Sequence, residues 1–247
     1  ILEVSDTHMQ TSNDRMRAFL ASLSTEEYDV VYAAGDMLGR PDSVEPMAAV
    51  LNTLRATTAR VFVLGASDYY VPRLRSYVKY LRRPGSTRRR QRRSRNRTEE
   101  YRRLLIEAGW MELTNRQVEI KLGTLRTQVT GLDDPHLNRD DRTLLVRDPA
   151  VDFAICLVHD PAPYADAARA GYDLVLSGHT HGGQVRMPAV GALVTNSHLP
   201  RRYARWTSRI GDTWLFVSPG LGTSRFAPFR FLCPPEASVL ELTPRRP

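Results

Sequence analysis

Short apolar runs and helical periodicities alternate along the first half of the chain. Unbroken apolar runs at 1–4, 30–34 and 61–64 are typical of strands covered on both faces. Between them, two sets of apolar residues recur with the spacing of one helical face. The sets are Met16, Phe19, Leu20 and Leu23, and Met47, Val50, Leu51 and Leu54. Polar N-cap candidates precede both sets, so the pattern predicts alternating strands and helices.

The second half is richer in strand patterns. Two alternating segments, 118–122 and 125–130, flank Gly123 and predict a hairpin. Further strands are predicted at 153–158, 173–176, 206–210, 214–217 and 238–242, and further helices at 72–81, from Thr98 to Gly109, and at 163–170. We therefore expect one α/β domain over residues 1–247, built as a four-layer α/β/β/α sandwich of two mixed sheets flanked by helices.

Composition narrows the class of protein. The chain has 247 residues, 42% apolar and 25% charged, which is ordinary for a globular protein with a core of its own. These values exclude a disordered, collagenous or coiled-coil chain, and no apolar stretch is long enough to cross a bilayer. The two cysteines, Cys156 and Cys233, make no disulfide framework. Cys156 lies in an apolar run and is predicted to be a buried free thiol.

The positive charge is concentrated in one segment. The net charge is +8, yet residues 82–103 contain eleven arginines and two glutamates, so the remainder is nearly neutral. Residues 82–97 have no hydrophobic period, which predicts a basic, mobile insertion in the domain. The alternative is a surface that binds nucleic acid or anionic lipid through phosphate contacts. No aromatic residue lies within it, so base stacking is not supported.

The chain begins directly in a predicted strand, at Ile1, with no initiator methionine or charged leader. We expect that a native N-terminal segment is missing from it. The expected localisation is cytoplasmic or peripheral at the membrane.

Polar clusters follow five of the predicted strands, each at the strand end. They are Asp6-Thr7-His8, Gly35-Asp36, Gly65-Ala66-Ser67-Asp68, His159-Asp160 and Gly178-His179-Thr180-His181-Gly182. In open α/β sheets, ligands bind beyond the carboxyl ends of the strands. Carboxylates and imidazoles together suit divalent ions such as Zn, Fe or Mn. Any one cluster could be a capping or surface group, but the whole ordered set predicts a metal site.

The order of these motifs resembles that of the calcineurin-like metallophosphoesterases over nearly the whole chain. Gly178-His179-Thr180-His181-Gly182-Gly183-Gln184, with the later segments 220–224 and 234–236, is similar to the bacterial branch of that family. The segments 68–70 and 131–136 resemble actinobacterial members, and only Lys79 and Lys121 are lysines among 35 basic residues, which agrees with that branch.

The resemblance implies a phosphoesterase with two divalent or transition metal ions, such as Mn, Fe or Zn. It implies Asp6, His8, Asp36 and His181 as ligands of the first ion, and Asp36, His159 and His179 as ligands of the second. Ser67 is the candidate for a fourth ligand of the second ion. A water activated by both ions would attack a phosphomonoester or phosphodiester. The sequence does not separate nucleotide, nucleic acid, lipid and phosphoprotein substrates.

The chain departs from the family pattern at Ala66 and Ser67, where the family usually has Asn and His. Asp68, which closes this block, and His136 are the candidate catalytic residues. The alternative for His136 is a loop residue bonded to a neighbouring aspartate. The departure also keeps open a second function, a catalytically weakened metal-binding module that binds phosphate-containing ligands. Asp160 is expected to orient His159, with surface capping as the alternative.

Overall fold

The computed structural model describes residues 1–71, 94–195, 197, 199–223 and 227–243. The helices in this part of the chain are α1 (Asp14–Ser22), α2 (Val44–Leu51), α3 (Ala66–Tyr69), α4 (Thr98–Glu107) and α5 (Tyr164–Arg169). The strands are β1 (Leu2–Val4), β2 (Glu27–Ala33), β3 (Arg55–Phe62), β4 (Met111–Glu112), β5 (Arg116–Leu122), β6 (Leu125–Gly131), β7 (Phe153–Leu157), β8 (Leu174–Ser177), β9 (Arg186–Met187), β10 (Gly191–Ala192), β11 (Trp206–Ile210), β12 (Thr213–Val217) and β13 (Ser238–Val239).

Two mixed sheets form the centre of the domain. In the first, with the order β13-β1-β2-β3-β4, only the β13–β1 pairing is antiparallel among the described residues. In the second, with the order β11-β12-β8-β7-β6-β5, the inner strands β12, β8, β7 and β6 are parallel and the edges are antiparallel. The parallel strands of each sheet therefore end at one edge, where their following loops meet.

The alternation of side chains along the strands divides the core into three layers. On β2, Val31 and Ala33 pack toward the helices, while Val30 and Tyr32 pack between the two sheets. On β7 and its end, Cys156 packs outside the second sheet, beside Ala167 of α5 and apart from the side chains that lie between the sheets. Helices α1, α2 and α4 cover the first sheet. The order of layers is helix, sheet, sheet, helix, which confirms the predicted fold class.

Most predicted elements are confirmed, with shifted ends. The hairpin turns at Gly123, and the helix from Thr98 is followed by Gly109, which has a φ of +87°. Strand β3 begins six residues before the predicted apolar run, while β13 is only two residues long. Phe19 was predicted on the buried face of the first helix, but its side chain is 43% exposed. The buried residue of this helix is Leu20.

The predicted basic insertion lies mostly outside the described residues, as does the predicted helix 72–81. Its last residues, 94–97, are described, and all of them except Asn96 are exposed. Asn96 is buried, and its side-chain amide donates to the carbonyl of Ser67. Arg97 pairs with Glu45 and Glu100. Within the described residues no helix is long and apolar enough to cross a membrane.

Candidate metal centre

Loops from both sheets interlock through backbone hydrogen bonds. The N–H of Asp6 donates to Gly35 at 3.0 Å, and the N–H of His8 donates to Asp36 at 3.0 Å, which joins the ends of β1 and β2. On the second sheet, Gly178 donates to His159 at 3.0 Å. After β12, Gly222 donates to the carbonyl of Asp6 at 2.7 Å, which ties this segment to the loop after β1. All five predicted clusters therefore meet at one edge of the sandwich.

One group of side chains contains Asp6, His8 and His181. One ligand atom of each lies within 4.8 Å of those of the other two. The Nε2 atoms of His8 and His181 are 3.2 Å apart, and their rings are stacked. His181 Nε2 lies 3.6 Å from Asp6 Oδ1. Two imidazole nitrogens and a carboxylate oxygen thus face a common point.

A second group contains Asp36, His159 and His179, again with ligand atoms within 4.8 Å of one another. His159 Nε2 lies 3.4 Å from Asp36 Oδ2. The same Asp36 oxygen is 3.7 Å from His8 Nε2 of the first group. Asp36 therefore joins the two groups, and Asp6 Oδ1 also lies 3.8 Å from His159 Nε2.

The backbone at the site is left-handed at five of the predicted ligands. The φ values are 51° at Asp6, 41° at His8, 53° at Asp36, 67° at His179 and 50° at His181. Positive φ is uncommon outside glycine and is retained where the surrounding structure over-determines it. Such backbone is concentrated at functional sites, so its recurrence here sets these loops apart from ordinary connections.

Two glycines allow the loops to approach one another closely. A Cβ on Gly65 would lie 2.3 Å from Asp36 Oδ1, and a Cβ on Gly178 would lie 2.5 Å from Asp6 Oδ2. No side chain fits at either position without moving a carboxylate of the centre.

Three histidines have their second ring nitrogen placed beside an oxygen. His159 Nδ1 lies 2.7 Å from the carbonyl oxygen of Ala34, and His181 Nδ1 lies 3.3 Å from that of Gly222. His8 Nδ1 lies 3.2 Å from Ser67 Oγ. A partner at Nδ1 fixes the ring and leaves Nε2 free to face the centre, which is typical of metal-binding histidines.

The electrostatics of the site favour a bound cation. Burial opposes charge on His159, but Asp36 and Asp6 outweigh it and hold the pKa of His159 well above its usual range. Burial tends to raise the pKa of Asp36, but His159 and His8 hold it well below its usual range. Burial lowers the pKa of the His181 imidazole to about 4. The neutral imidazole of His181 is in the state that a metal ion requires of a ligand, whereas a metal ion would have to displace the proton of His159.

Two buried atoms test whether a metal would fit. Asp6 Oδ1 and His159 Nε2 are buried and have no hydrogen-bond partner in the described part of the chain. A buried polar atom without a partner is costly, and such atoms call for an explanation. Both face the convergence of carboxylates and imidazoles. The donor set therefore fits divalent transition ions bound by nitrogen and oxygen.

Asp68 lies beneath the loops and does not face the centre. Its side chain is fully buried, and its two oxygens accept four backbone N–H groups, from Asp36, Met37, Leu38 and Gly65, at 2.8–2.9 Å. Burial and the charge of Asp36 raise the pKa of Asp68 to about 7, although these donors favour the ionised form. Because both oxygens are engaged, this arrangement favours a positioning role over the predicted direct catalytic role.

The other predicted residues reach the site in different ways. The ring of His136 lies 5.4 Å from that of His179, while its backbone N–H donates to Asp134. Asp160, expected beside His159, is instead the neighbour of His179, with Oδ2 3.6 Å from Nε2. Asp160 does not orient His159, because Nδ1 of His159 already lies against the carbonyl oxygen of Ala34.

Arg230 is a site residue that the sequence analysis did not identify. Its guanidinium donates to the carbonyls of Pro219, Gly220 and Gly222, which holds the loop under His181. Among so many arginines, nothing in the pattern marks this one. Its importance comes from a fold contact that sequence spacing does not encode.

A groove of about 220 Å³ opens beside His8. Its other walls are uncharged. They are Thr7, Gln10, Asn13, Met16, Leu221, Gly222, Thr223 and Pro228. The groove therefore offers hydrogen-bonding groups and some apolar surface next to the centre.

Comparisons with known proteins show which proteins the chain is similar to. The family model for calcineurin-like phosphoesterases matches residues 1–183. The chain is 26% identical to YkuE of Bacillus subtilis, an uncharacterized metallophosphoesterase, over 98% of this chain and 78% of the relative. It is 26% identical to another, YkoQ of the same organism, over 90% and 76%, respectively. A match to phosphodiesterase YaeI of Escherichia coli, at 33% identity, covers 36% of this chain and 32% of that protein.

Proposed function

The chain belongs to the calcineurin-like phosphoesterase family, and on that premise we propose that it hydrolyses phosphate esters with two metal ions held where its two sheets meet. The observation that carries the proposal is the position of Asp36. One of its oxygens lies 3.7 Å from His8 and 3.4 Å from His159, so a single carboxylate serves both histidine groups. In phosphatases and nucleases, paired metal ions lie about 3.5–4 Å apart, so one carboxylate can contact both.

The proposed ligand sets follow the two groups. Asp6, His8, Asp36 and His181 would hold one ion, and Asp36, His159 and His179 would hold the other. Ser67, predicted as a fourth ligand of the second ion, lies instead against His8 of the first group, where it would orient the ring. Mn, Fe and Zn suit these nitrogen and oxygen donors. When bound, the ions would supply an activated water at neutral pH and neutralise charge on the phosphoryl oxygens.

The protein's own side chains provide the remaining functions. His136 lies beside His179, where its imidazole would hold the proton that passes to the leaving oxygen. Asp160 would orient His179. Asp68 would act through the backbone of the loop that carries Asp36, which it fixes by its hydrogen bonds.

The groove beside His8 is the proposed place for the alcohol portion of the ester. Its walls, apart from His8, carry no formal charge, so it suits an uncharged polar group better than a second phosphate. Whether the substrate is a monoester or a diester determines what enters this groove.

The second candidate function, a catalytically weakened metal-binding module, has one observation in its favour. Ser67 stands where, by the resemblance, actinobacterial members have an Asn, and its hydroxyl is directed to His8. The second group then depends on three residues, which suits a metal-binding module with low turnover that binds phosphate-containing ligands. Replacing Ser67 by Asn separates the two functions. A rise in turnover of tenfold, about 1.4 kcal/mol of barrier, would favour the weakened module. Unchanged turnover would favour a site that is complete as it stands.

The proposal also covers the type of protein, the contacts of its arginine-rich segment and its place in the cell. The actinobacterial type is supported by the arginine excess and by segments 68–70 and 131–136. The arginine-rich segment would contact anionic membrane or nucleic acid, and the protein would act in the cytoplasm or at the membrane periphery. Deleting residues 86–93 should leave turnover of a small soluble ester intact and weaken such contacts. This deletion spares Asn96, which is bonded to the site loop.

Reconstitution of metal-free protein tests the proposed function. We expect hydrolysis of a generic aryl phosphate or aryl phosphodiester to appear when Mn, Fe, Zn, Co or Ni is added back, and to disappear again with a chelator. Protein that regains its metal but hydrolyses neither compound would contradict the proposal.

A further inference from the structure

Two neighbouring loops beside the metal centre expose large apolar side chains. The first is the β9–β10 hairpin with the residues after it, and the second is the segment 229–232. Six side chains in them, here called the apolar tips, are between 44% and 65% exposed. They are Met187, Val190, Val194, Phe229, Phe231 and Leu232. A contiguous exposed apolar patch of this kind marks an interaction site more often than scattered residues do.

The two loops form one continuous surface. The N–H of Arg186 donates to the carbonyl of Phe231 at 3.0 Å, and the N–H of Phe231 donates to that of Gln184 at 2.9 Å. The side-chain amide of Gln184 also donates to the carbonyl of Phe229 at 2.7 Å. Val190 lies at a tight turn, where its N–H donates to Pro188. The apolar tips are therefore held together by the backbone and protrude at a turn.

The surface adjoins the proposed metal centre. The guanidinium of Arg186 donates to the carbonyl of Gly182, the residue after His181, at 2.9 Å. Gly183 lies against Ala192 of the hairpin. A ligand that covers the apolar tips would therefore stand beside the loop that carries His179 and His181.

The charge around the apolar tips selects the ligand. Residues 174–236 contain seven arginines and two acidic residues, Asp212 and Glu236, the second of which accepts from the Trp206 indole, although the chain outside its arginine-rich insertion is nearly neutral. Arg201 and Arg202 are exposed on the turn that packs against β10, and Arg205 stacks over the exposed Trp206. Apolar tips surrounded by arginine and an aromatic ring complement an anionic lipid surface, into which such side chains insert.

We propose that the apolar tips and the surrounding arginines dock this protein on an anionic phospholipid bilayer. The metal centre would then act on phosphate esters at the headgroup layer of that bilayer. The second statement rests on the proposed function, whereas the docking itself does not. A protein partner or a second copy of this chain would bury the same tips, and the test below distinguishes these cases.

Vesicle flotation of the full chain, with a chelator present so that metal ions cannot bridge protein to lipid, measures the docking. We expect the protein to float with vesicles of phosphatidylcholine and phosphatidylglycerol, and much less with phosphatidylcholine alone. The double variant Phe229→Ser/Phe231→Ser should bind the anionic vesicles at least about tenfold more weakly than the wild type does. The matched control Val146→Ser/Val239→Ser removes equally exposed apolar side chains elsewhere on the protein, 66% and 63% exposed, and should bind as the wild type does. Arg201→Gln/Arg202→Gln should lower binding to the anionic vesicles by about fivefold per arginine.

Hydrolysis of a soluble aryl phosphate is measured on metal-loaded aliquots of the same protein preparations, without chelator, and should be equal in wild type and all three variants. Loss of that activity in every sample, with vesicle binding retained, would count against the proposed function alone. The docking proposal is overturned if the wild type does not float, or if Phe229→Ser/Phe231→Ser floats as well as the control. It is also overturned if light scattering shows a dimer that this variant converts to a monomer, because the tips would then form an interface between copies.

Discussion

The hydroxyl of Ser67 lies 3.2 Å from Nδ1 of His8, while Nε2 of the same ring lies 3.2 Å from Nε2 of His181. Ser67 thereby fixes the imidazole that faces the first group of metal-ligand candidates. A residue with such a partner role is expected to tune metal affinity without touching the ion.

Replacing Ser67 by Ala should therefore weaken metal binding by about tenfold, because the ring of His8 loses the partner that orients it. Ser67→Thr, which keeps the hydroxyl, is the matched control and should bind metal nearly as the wild type does. Calorimetric titration of metal-free protein with Zn or Mn measures the difference. Equal affinities for the Ala and Thr variants would show that the contact with His8 has no effect.

Asp68→Asn should destabilise the fold by about 2–3 kcal/mol, because an amide nitrogen replaces one of two oxygens that accept buried N–H groups. The loop carrying Asp36 should loosen at the same time, so hydrolysis should fall with stability. Urea unfolding measures the free energy. Asp212→Asn, at a fully exposed carboxylate, is the control and should stay within about 0.5 kcal/mol of wild type.

Cys156 gives a prediction for alkaline pH. The thiol is fully buried, as predicted from its apolar run, and burial raises its pKa from 9.0 to about 12. A raised folded-state pKa contributes stability that is fully present below the unfolded pKa and is lost as pH rises toward the folded value. Between pH 8 and pH 10 this thiol should remove about 1.4 kcal/mol from the free energy of unfolding.

The variant Cys156→Ala isolates that contribution, since the pH dependence of all other groups stays in place. We expect its stability to be lower at pH 8 because of the cavity, but to fall less steeply toward pH 10. If the free energy of unfolding fell equally with pH in wild type and variant, the thiol would ionise in the folded protein as it does in the unfolded chain.

His136→Gln should lower turnover selectively. If the imidazole supplies the proton for the leaving oxygen, the loss should reach about a hundredfold with an alkyl ester, whose alkoxide leaves poorly. A nitrophenyl ester, whose leaving group needs no proton, should be affected far less. A loss of equal size with both esters would indicate that His136 binds the phosphoryl group or shapes the loop instead.

The sequence predicted the fold because each local pattern agreed with the others. Strand-end clusters such as Asp6 with His8 and Gly35 with Asp36 are visible in the chain, and parallel strands bring their ends together. Short pairings without a local signal were missed, such as β4 and β9, because their residues form strands only through contact with a neighbour.

The sequence predicted which residues lie in the site better than it predicted which of them contact each other. Spacing cannot tell that Asp160 lies beside His179 and not His159, because the carbonyl of Ala34, just after β2, already lies against Nδ1 of His159. Nor can it identify Arg230, whose role depends on three carbonyls of a loop that passes beneath His181. Both depend on how two loops from different sheets are packed.

The most direct test of the account compares the metal content and turnover of wild type and Asp36→Asn, purified alike without chelator. Mass spectrometry should find up to two transition ions per chain in the wild type and fewer in the variant, because one carboxylate serves both groups. Turnover of an aryl phosphate should fall by more than about a hundredfold, equivalent to about 2.7 kcal/mol of barrier. Asp29→Asn, at an exposed aspartate on β2, is the control and should match the wild type. Metal content and turnover unchanged in Asp36→Asn would contradict a centre joined by Asp36.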